Sequence, residues 1–349
     1  MSRLQSLRGA AGRFSLLAVI AVVALLAVRE TGAVDVGTGL RIDLVVTGMP
    51  RPDQLAFDRR GRLVALGRGA SGDTAGELYR FDLRDPGPIE AGRAPRVVIP
   101  FADPVRKPVF GSLAVDPSSA DVFLGEENGN RIYRLGEDQR LQVAVVGLNH
   151  LLGGSALALD GQGRLVFLDY ASPETQLRSE TPLPPSLDWL VAEGYRGPLV
   201  YRVDPREDRP LPRRADLLAP VFPRPGSAAA GQEPLWRLIG VVVAGDGDLV
   251  LLSSVGEVFR LGADARLRLV TRLPGGHYHR TNLAVGPDGS IFVCGGFQIR
   301  QIYRIAPSGG VAVVARDLGD PAGIAFDGAG TLYVAETALH RIIRITGLR

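Results

Sequence analysis

The chain has 349 residues, 46% of them hydrophobic, enough to bury a sizeable core as two ordinary domains or as one large all-β domain. Its 44 glycines and 25 prolines are spread along its whole length, which suggests many turns and excludes a single low-complexity tract. The formal net charge of +3 comes from the N-terminus: removing the four arginines and one glutamate of residues 1–33 takes the 40 basic and 37 acidic residues to 36 of each, and nucleic acid is excluded as the main partner.

In chain order, the first element is an export segment. Arg3, Arg8 and Arg13 precede the uncharged run Phe14 to Val28, and Thr31-Gly32-Ala33 offers small residues for cleavage. Residues 1–33 are a cleaved signal peptide or an uncleaved N-terminal membrane anchor. Either way residues 34–349 are expected to be exported, into a periplasmic or extracellular space. Cys294 is the only cysteine, so no intrachain disulfide is expected.

Residues 34–349 then repeat one unit six times: an apolar-Ala-apolar-Asp/Gly tract, a short turn and a second apolar run. The copies begin at Leu55, Leu113, Leu157, Val241, Leu283 and Ile324. In the first, Leu55-Ala56-Phe57-Asp58 leads to Gly61-Arg62-Leu63-Val64; in the last, Ile324-Ala325-Phe326-Asp327 leads to Gly330-Thr331-Leu332-Tyr333. Each copy reads as two short strands joined by a hairpin turn. A third strand alternates Arg with apolar residues, as in Arg131-Ile132-Tyr133-Arg134-Leu135, and tracts such as Val97-Val98-Ile99 supply a fourth.

Six copies predict an all-β fold, a six-bladed β-propeller, with a parallel solenoid as the alternative. Blade six stops after its third strand, and an orphan strand, Leu40 to Val46, precedes blade one; the two are expected to pair and close the ring. Blade three carries a long insertion, 169–196, containing Pro173, Pro182, Pro184, Pro185 and Trp189, which serves either as a lid or as surface elaboration.

In such a ring the loops feeding each first strand and those leaving each second strand share a face, where chemistry is expected. Glu126, Asp169 and Glu336 leave second strands at equivalent positions. With Asn128, Asn149 and Asn282 they offer the oxygen ligands that Ca²⁺ or Mg²⁺ prefers over the softer donors of Zn²⁺. The other reading is structural, since a carboxylate there accepts backbone N–H bonds from the following turn. His150, His277 and His279 lie in the feeding loops, as metal ligands or acid–base groups or simply as polar loop residues. Cys294 is either a thiolate partner for His277 or His279, or a small buried residue. Gly67 to Gly72 matches G-x-G-x-x-G, but a strand follows instead of a helix, so there is no phosphate cradle.

The segment Pro321-Ala322-Gly323-Ile324-Ala325-Phe326-Asp327-Gly328-Ala329-Gly330-Thr331-Leu332-Tyr333-Val334-Ala335-Glu336, followed by His340-Arg341-Ile342, resembles an NHL repeat. The unit is also similar to blades of the gluconolactonase/regucalcin and strictosidine synthase-like families. Asn282, within Thr281-Asn282-Leu283-Ala284-Val285-Gly286-Pro287-Asp288-Gly289, resembles the first of these families' N-G-L-A-x-x-P-D-G motif. That resemblance implies an axial divalent cation. Asp53-Gln54-Leu55 stands where the family has Glu-Gly-Pro, so either Asp53 substitutes as ligand or the cation site is lost. Two functions follow as expectations. One is a metal-dependent lactone or ester hydrolase, with Asp53 and Asp169 catalytic and Asn282, Glu126, Asp169 and Asp53 holding the cation. The other is a non-catalytic NHL-type module that binds a protein, glycan or small ligand.

Overall fold

The computed structural model describes residues 35–348 except 69–72, 85–86, 102–104, 106, 108, 128, 149–153, 172–196, 207–215, 217, 219–236 and 265. Residues 1–33, read from the sequence as an export segment, most of the 169–196 insertion, Asn128, Asn149 and His150 therefore lie outside the described residues.

The described strands form six sheets, one for each copy of the repeat. Sheet one runs outward through Pro52–Phe57, Leu63–Gly67, Gly76–Phe81 and Arg96–Ile99. Sheet two follows with Phe110–Val115, Val122–Glu126, Ile132–Leu135 and Leu141–Val145. Sheet three shows Leu157–Leu159, Leu165–Ala171 and Gly197–Val203, and sheet four Leu238–Val243, Leu249–Ser253, Glu257–Leu261 and Leu267–Arg272. Leu283–Val285, Ile291–Cys294, Ile302–Ile305 and Val311–Arg316 build sheet five; Pro321–Phe326, Leu332–Glu336 and Arg341–Thr346 begin sheet six. The innermost strands touch in cyclic order, sheet six against sheet one included, giving a six-bladed β-propeller.

The first described strands join the last two blades. Arg41–Thr47 pairs antiparallel with Arg341–Thr346, setting Ile42 opposite Ile345, and so occupies the place of a fourth strand in sheet six. Asp35–Val36 adds to the outer edge of sheet five, and Ile89–Glu90 lies parallel to Arg41–Thr47; neither addition follows from the repeat.

Burial explains the strand patterns. Second strands are sandwiched between neighbouring sheets, so Leu63–Gly67, Val122–Glu126, Leu249–Ser253 and Leu332–Glu336 are buried at every residue and carry no charged side chain before their last position. Aromatic pairs join neighbouring sheets: Phe57 meets Tyr333 at 5.2 Å between sheets one and six, and Phe292 meets Phe326 at 4.9 Å between sheets five and six. The arginines of the third strands reach back to carboxylates in the hairpin turns, as Arg134 to Asp121 at 2.7 Å and Arg260 to Asp248 at 2.7 Å.

The turns repeat one hydrogen-bond pattern. The Asp58 carboxylate accepts the Arg60 and Arg62 amides at 2.9 and 3.0 Å, and Asp160 accepts those of Gln162 and Arg164 at the same distances. Gly61 and Gly163 take φ of 72° and 74° in these turns, a conformation that costs glycine nothing.

Candidate functional site

Six equivalent apolar side chains, Leu55, Leu113, Leu157, Val241, Leu283 and Ile324, line an axial cavity of about 510 Å³. At one end it is flanked by the turn residues Pro117, Gly161 and Gly245; at the other it reaches Ser155 and Asn282. There a polar chain crosses the axis. Ser155 Oγ donates to Asn282 Oδ1 at 3.0 Å, and Asn282 Nδ2 donates to Gln54 Oε1 at 2.6 Å, linking sheets three, five and one. Gln54 Nε2 continues to Asp53 Oδ1 at 3.5 Å.

Asp53 owes its position to a β-bulge. Pro52 pairs with Gly67 and Gln54 with Leu66, so Asp53 is the extra residue. Its sheet also lies against sheet six so closely that a Cβ on Gly323 would collide with the Asp53 carbonyl and the Gln54 backbone. Asp53 is 2% exposed and its Oδ2 accepts from Arg68 Nε at 3.3 Å. Arg68 also donates to Glu127, whose other oxygen accepts from Arg280 at 3.3 Å. A continuous charged chain, Asp53–Arg68–Glu127–Arg280, thus lies over the mouth of the ring on the loop face.

The loop face holds its charges in an unusual backbone state. Arg51, Arg280 and Asp320, each just ahead of an inner strand, have φ of 47°, 51° and 59°. The corresponding residue of sheet three is a glycine, Gly154, with φ of 91°. Left-handed backbone costs a side-chain-bearing residue about 1 kcal/mol, so three charged residues stand where glycine would be cheaper.

Burial raises the Asp53 carboxyl above the ordinary range, against the pull of the Arg68 charge, with Glu127 adding to the rise. Asp320 is raised by burial and then by Asp53. Desolvation and the Arg280 charge lower the His279 imidazole. Cys294 is fully buried and its thiol is pushed up to about 12 by burial; Sγ accepts the Asn282 amide at 3.0 Å and donates to the Ala322 carbonyl at 3.2 Å. That is the behaviour of a small core residue, not of a thiolate nucleophile.

Of the residues singled out in the sequence, Asp53 and Asn282 come together, bridged by Gln54. Glu126 and Glu336 are both buried. Glu126 accepts from the Tyr133 hydroxyl at 3.0 Å, while Glu336 accepts the Gly319 amide, from the loop ahead of its own sheet, at 2.7 Å and the Arg341 guanidinium at 2.5 Å. Asp169 is buried and accepts the Tyr170 amide at 2.8 Å. Among the described residues no three His, Cys, Asp or Glu side chains form a metal-holding group.

As these side chains stand, Asp53 and Asn282 do not fit a divalent cation. The Asn282 amide is engaged at both ends, and the Asp53 carboxylate already faces the Arg68 guanidinium. A guanidinium about 4 Å from a cation repels it by roughly 4 kcal/mol per unit of its charge at an intermediate dielectric.

Sequence reasoning did not single out Arg68, Glu127, Arg280 or Asp320 as site residues. Arg68, Glu127 and Arg280 directly neighbour Gly67, Glu126 and Thr281, which leave a second strand or feed a first strand, whereas Asp320 lies two residues ahead of Ala322 in the loop feeding the last first strand. Searching one residue to either side of those positions for charge finds the first three and misses Asp320.

No protein-family model matches the chain, and no curated protein matches it in sequence. Solved structures similar in fold include a gluconolactonase from Xanthomonas campestris, 17% identical, with 88% of this chain and 89% of that chain covered and a TM-score of 0.57. A streptogramin B lyase is 12% identical over 89% of this chain and 99% of that one, with a TM-score of 0.52. Virginiamycin B lyase from Staphylococcus aureus is 14% identical over 88% and 99%, with a TM-score of 0.51. At these identities the likeness is one of fold.

Proposed function

We propose that the loop face is the active site of an exported enzyme that opens the C–O bond of a small lactone or ester. The observation that carries this reading is Asp53, a buried carboxyl joined through Gln54 to the Asn282 chain, raised in pKa and hydrogen-bonded to a guanidinium in a continuous charged chain. The gluconolactonase and lyase names of the fold's neighbours favour small-molecule chemistry on this scaffold.

Arg68 uses Nε for Asp53 and one terminal nitrogen for Glu127. A guanidinium has five N–H donors, so others remain to face a carbonyl oxygen as it becomes an oxyanion. Water adds to the carbonyl carbon, the bond to the ring or ester oxygen breaks, and the proton lost by water ends on the departing alkoxide. Asp53 carries that proton between the two.

The purified protein is to be assayed against a panel of lactones and simple esters beside Asp53→Asn, with circular dichroism to verify the fold. Hydrolysis of at least one class is expected, with loss on the order of 100-fold or more in the variant, the usual scale for a general acid–base group. No turnover across the panel, or an unaffected variant, overturns the reading.

A further inference from the structure

We infer that this axial site works without a divalent cation, because the guanidinium of Arg68 supplies the positive charge beside Asp53. This rests on placing the chemistry at the loop face, as above.

Three independent features carry it. The Asp53 carboxylate, on the extra residue of its bulge, is paired with Arg68 at 3.3 Å while both side chains are almost wholly buried, 3% and 11% exposed. The Asn282 amide is held at both ends, its oxygen by Ser155 and its nitrogen by Gln54, so turning the oxygen toward an ion breaks two buried hydrogen bonds. Finally, Arg51 and Arg280 keep left-handed backbone beside the same mouth, and with Arg68 both act on the Asp320 carboxyl. A cation bound against Asp53 meets this group of guanidiniums, with Glu127 already tied to two of them.

A guanidinium and a divalent cation are not equivalent in such a position. The cation activates bound water and draws in several oxygen ligands. The guanidinium is a fixed planar donor that binds an oxyanion or carboxylate through N–H groups and lowers the pKa of no water ligand. The site therefore asks for a carbonyl or carboxylate oxygen from the substrate and takes its proton transfer from side chains.

The test reads metal, not turnover. The full chain is dialysed against metal-free buffer, its metal content is measured by mass spectrometry, and thermal melts are recorded with Ca²⁺, Mg²⁺, Mn²⁺ or Zn²⁺ and with a chelator. The wild type is expected to hold no stoichiometric metal and to melt identically in every condition. Arg68→Gln, which frees Asp53, is expected to gain a Ca²⁺-dependent rise in Tm that the double variant Asp53→Asn, Arg68→Gln lacks. Arg68→Lys, which keeps the charge, is expected to stay indifferent and guards against a misfolded glutamine variant. One cation per wild-type chain, lost in Asp53→Asn, overturns the inference. So does an Arg68→Gln protein that folds and responds no more than the wild type. A protein that binds no metal and turns over no lactone would remove the proposed reaction and leave this inference standing.

Discussion

The two mouths of the ring use aspartate in opposite ways. On the turn face Asp58, Asp160 and Asp327 accept backbone amides two and four residues ahead, the same construction in three blades. At Asp160 burial pushes the pKa up, but the amides of Arg164 and Gln162 together with the Arg164 guanidinium outweigh it and hold the carboxyl below its ordinary value. On the loop face Asp53 and Asp320 are raised, chiefly by burial. A carboxylate that recurs with the fold is spent on the turn that makes the fold. One that occurs in a single blade, at a cost in solvation or backbone strain, is available for chemistry.

This contrast can be broken at several points. The largest expected effect is on catalysis: Asp53→Asn should cost on the order of 100-fold in turnover, whereas Asp58→Asn on the turn face should leave turnover unchanged. Equal losses in both would erase the distinction.

Packing at the loop face comes next. Gly323→Ala forces a methyl group into the Asp53 backbone and should destabilise by about 1–3 kcal/mol in denaturant unfolding, whereas Gly328, with nothing near its Cβ position, should accept alanine with little change.

On the turn face, Asp160→Ala leaves the Gln162 and Arg164 amides and the Arg164 guanidinium without their acceptor. Loss of about 1–3 kcal/mol is expected at neutral pH.

The smallest effects carry opposite signs. Arg280→Gly relieves left-handed strain of about 1 kcal/mol but takes one of two guanidiniums from Glu127, so the two effects should offset to within about 1 kcal/mol while turnover falls. Acid melts should separate the two faces as well. A turn carboxyl such as Asp288, whose pKa falls to about 2, contributes stability above its unfolded value that is lost as the pH drops toward its folded one. Asp53, raised on folding, costs stability above its folded pKa, and that cost is relieved as the pH falls through it. Asp288→Asn should therefore flatten the acid loss of Tm, and Asp53→Asn should steepen it.

The sequence made the scaffold legible and the site only partly so. Repeated Leu-Ala-apolar-Asp tracts announce the blades because every sheet must bury the same surfaces. Position in the repeat likewise placed Asp53 and Asn282 on one face. The Asp53–Arg68–Glu127–Arg280 chain escaped because loop charges have no period. A bulge shifts the register by one residue without any mark in composition, and left-handed arginines look like any others. The embedding of Asp35–Val36 and Ile89–Glu90 in sheets five and six is set by edges left open elsewhere, which a local pattern cannot show.

The pairing of Arg41–Thr47 with Arg341–Thr346 also has a consequence in time. Blades are local and can form as their own residues collapse, but this pair joins segments separated by nearly the whole chain, and its loop-closure entropy is met only once the intervening blades have shortened the distance. Until then a growing arc of sheets carries an unsatisfied edge at each end, the stage most open to mispairing with a second copy. The final zipper is thus both a latch and a checkpoint: substitutions at Ile42 or Ile345 should slow the last folding phase and raise aggregation before they alter the finished ring.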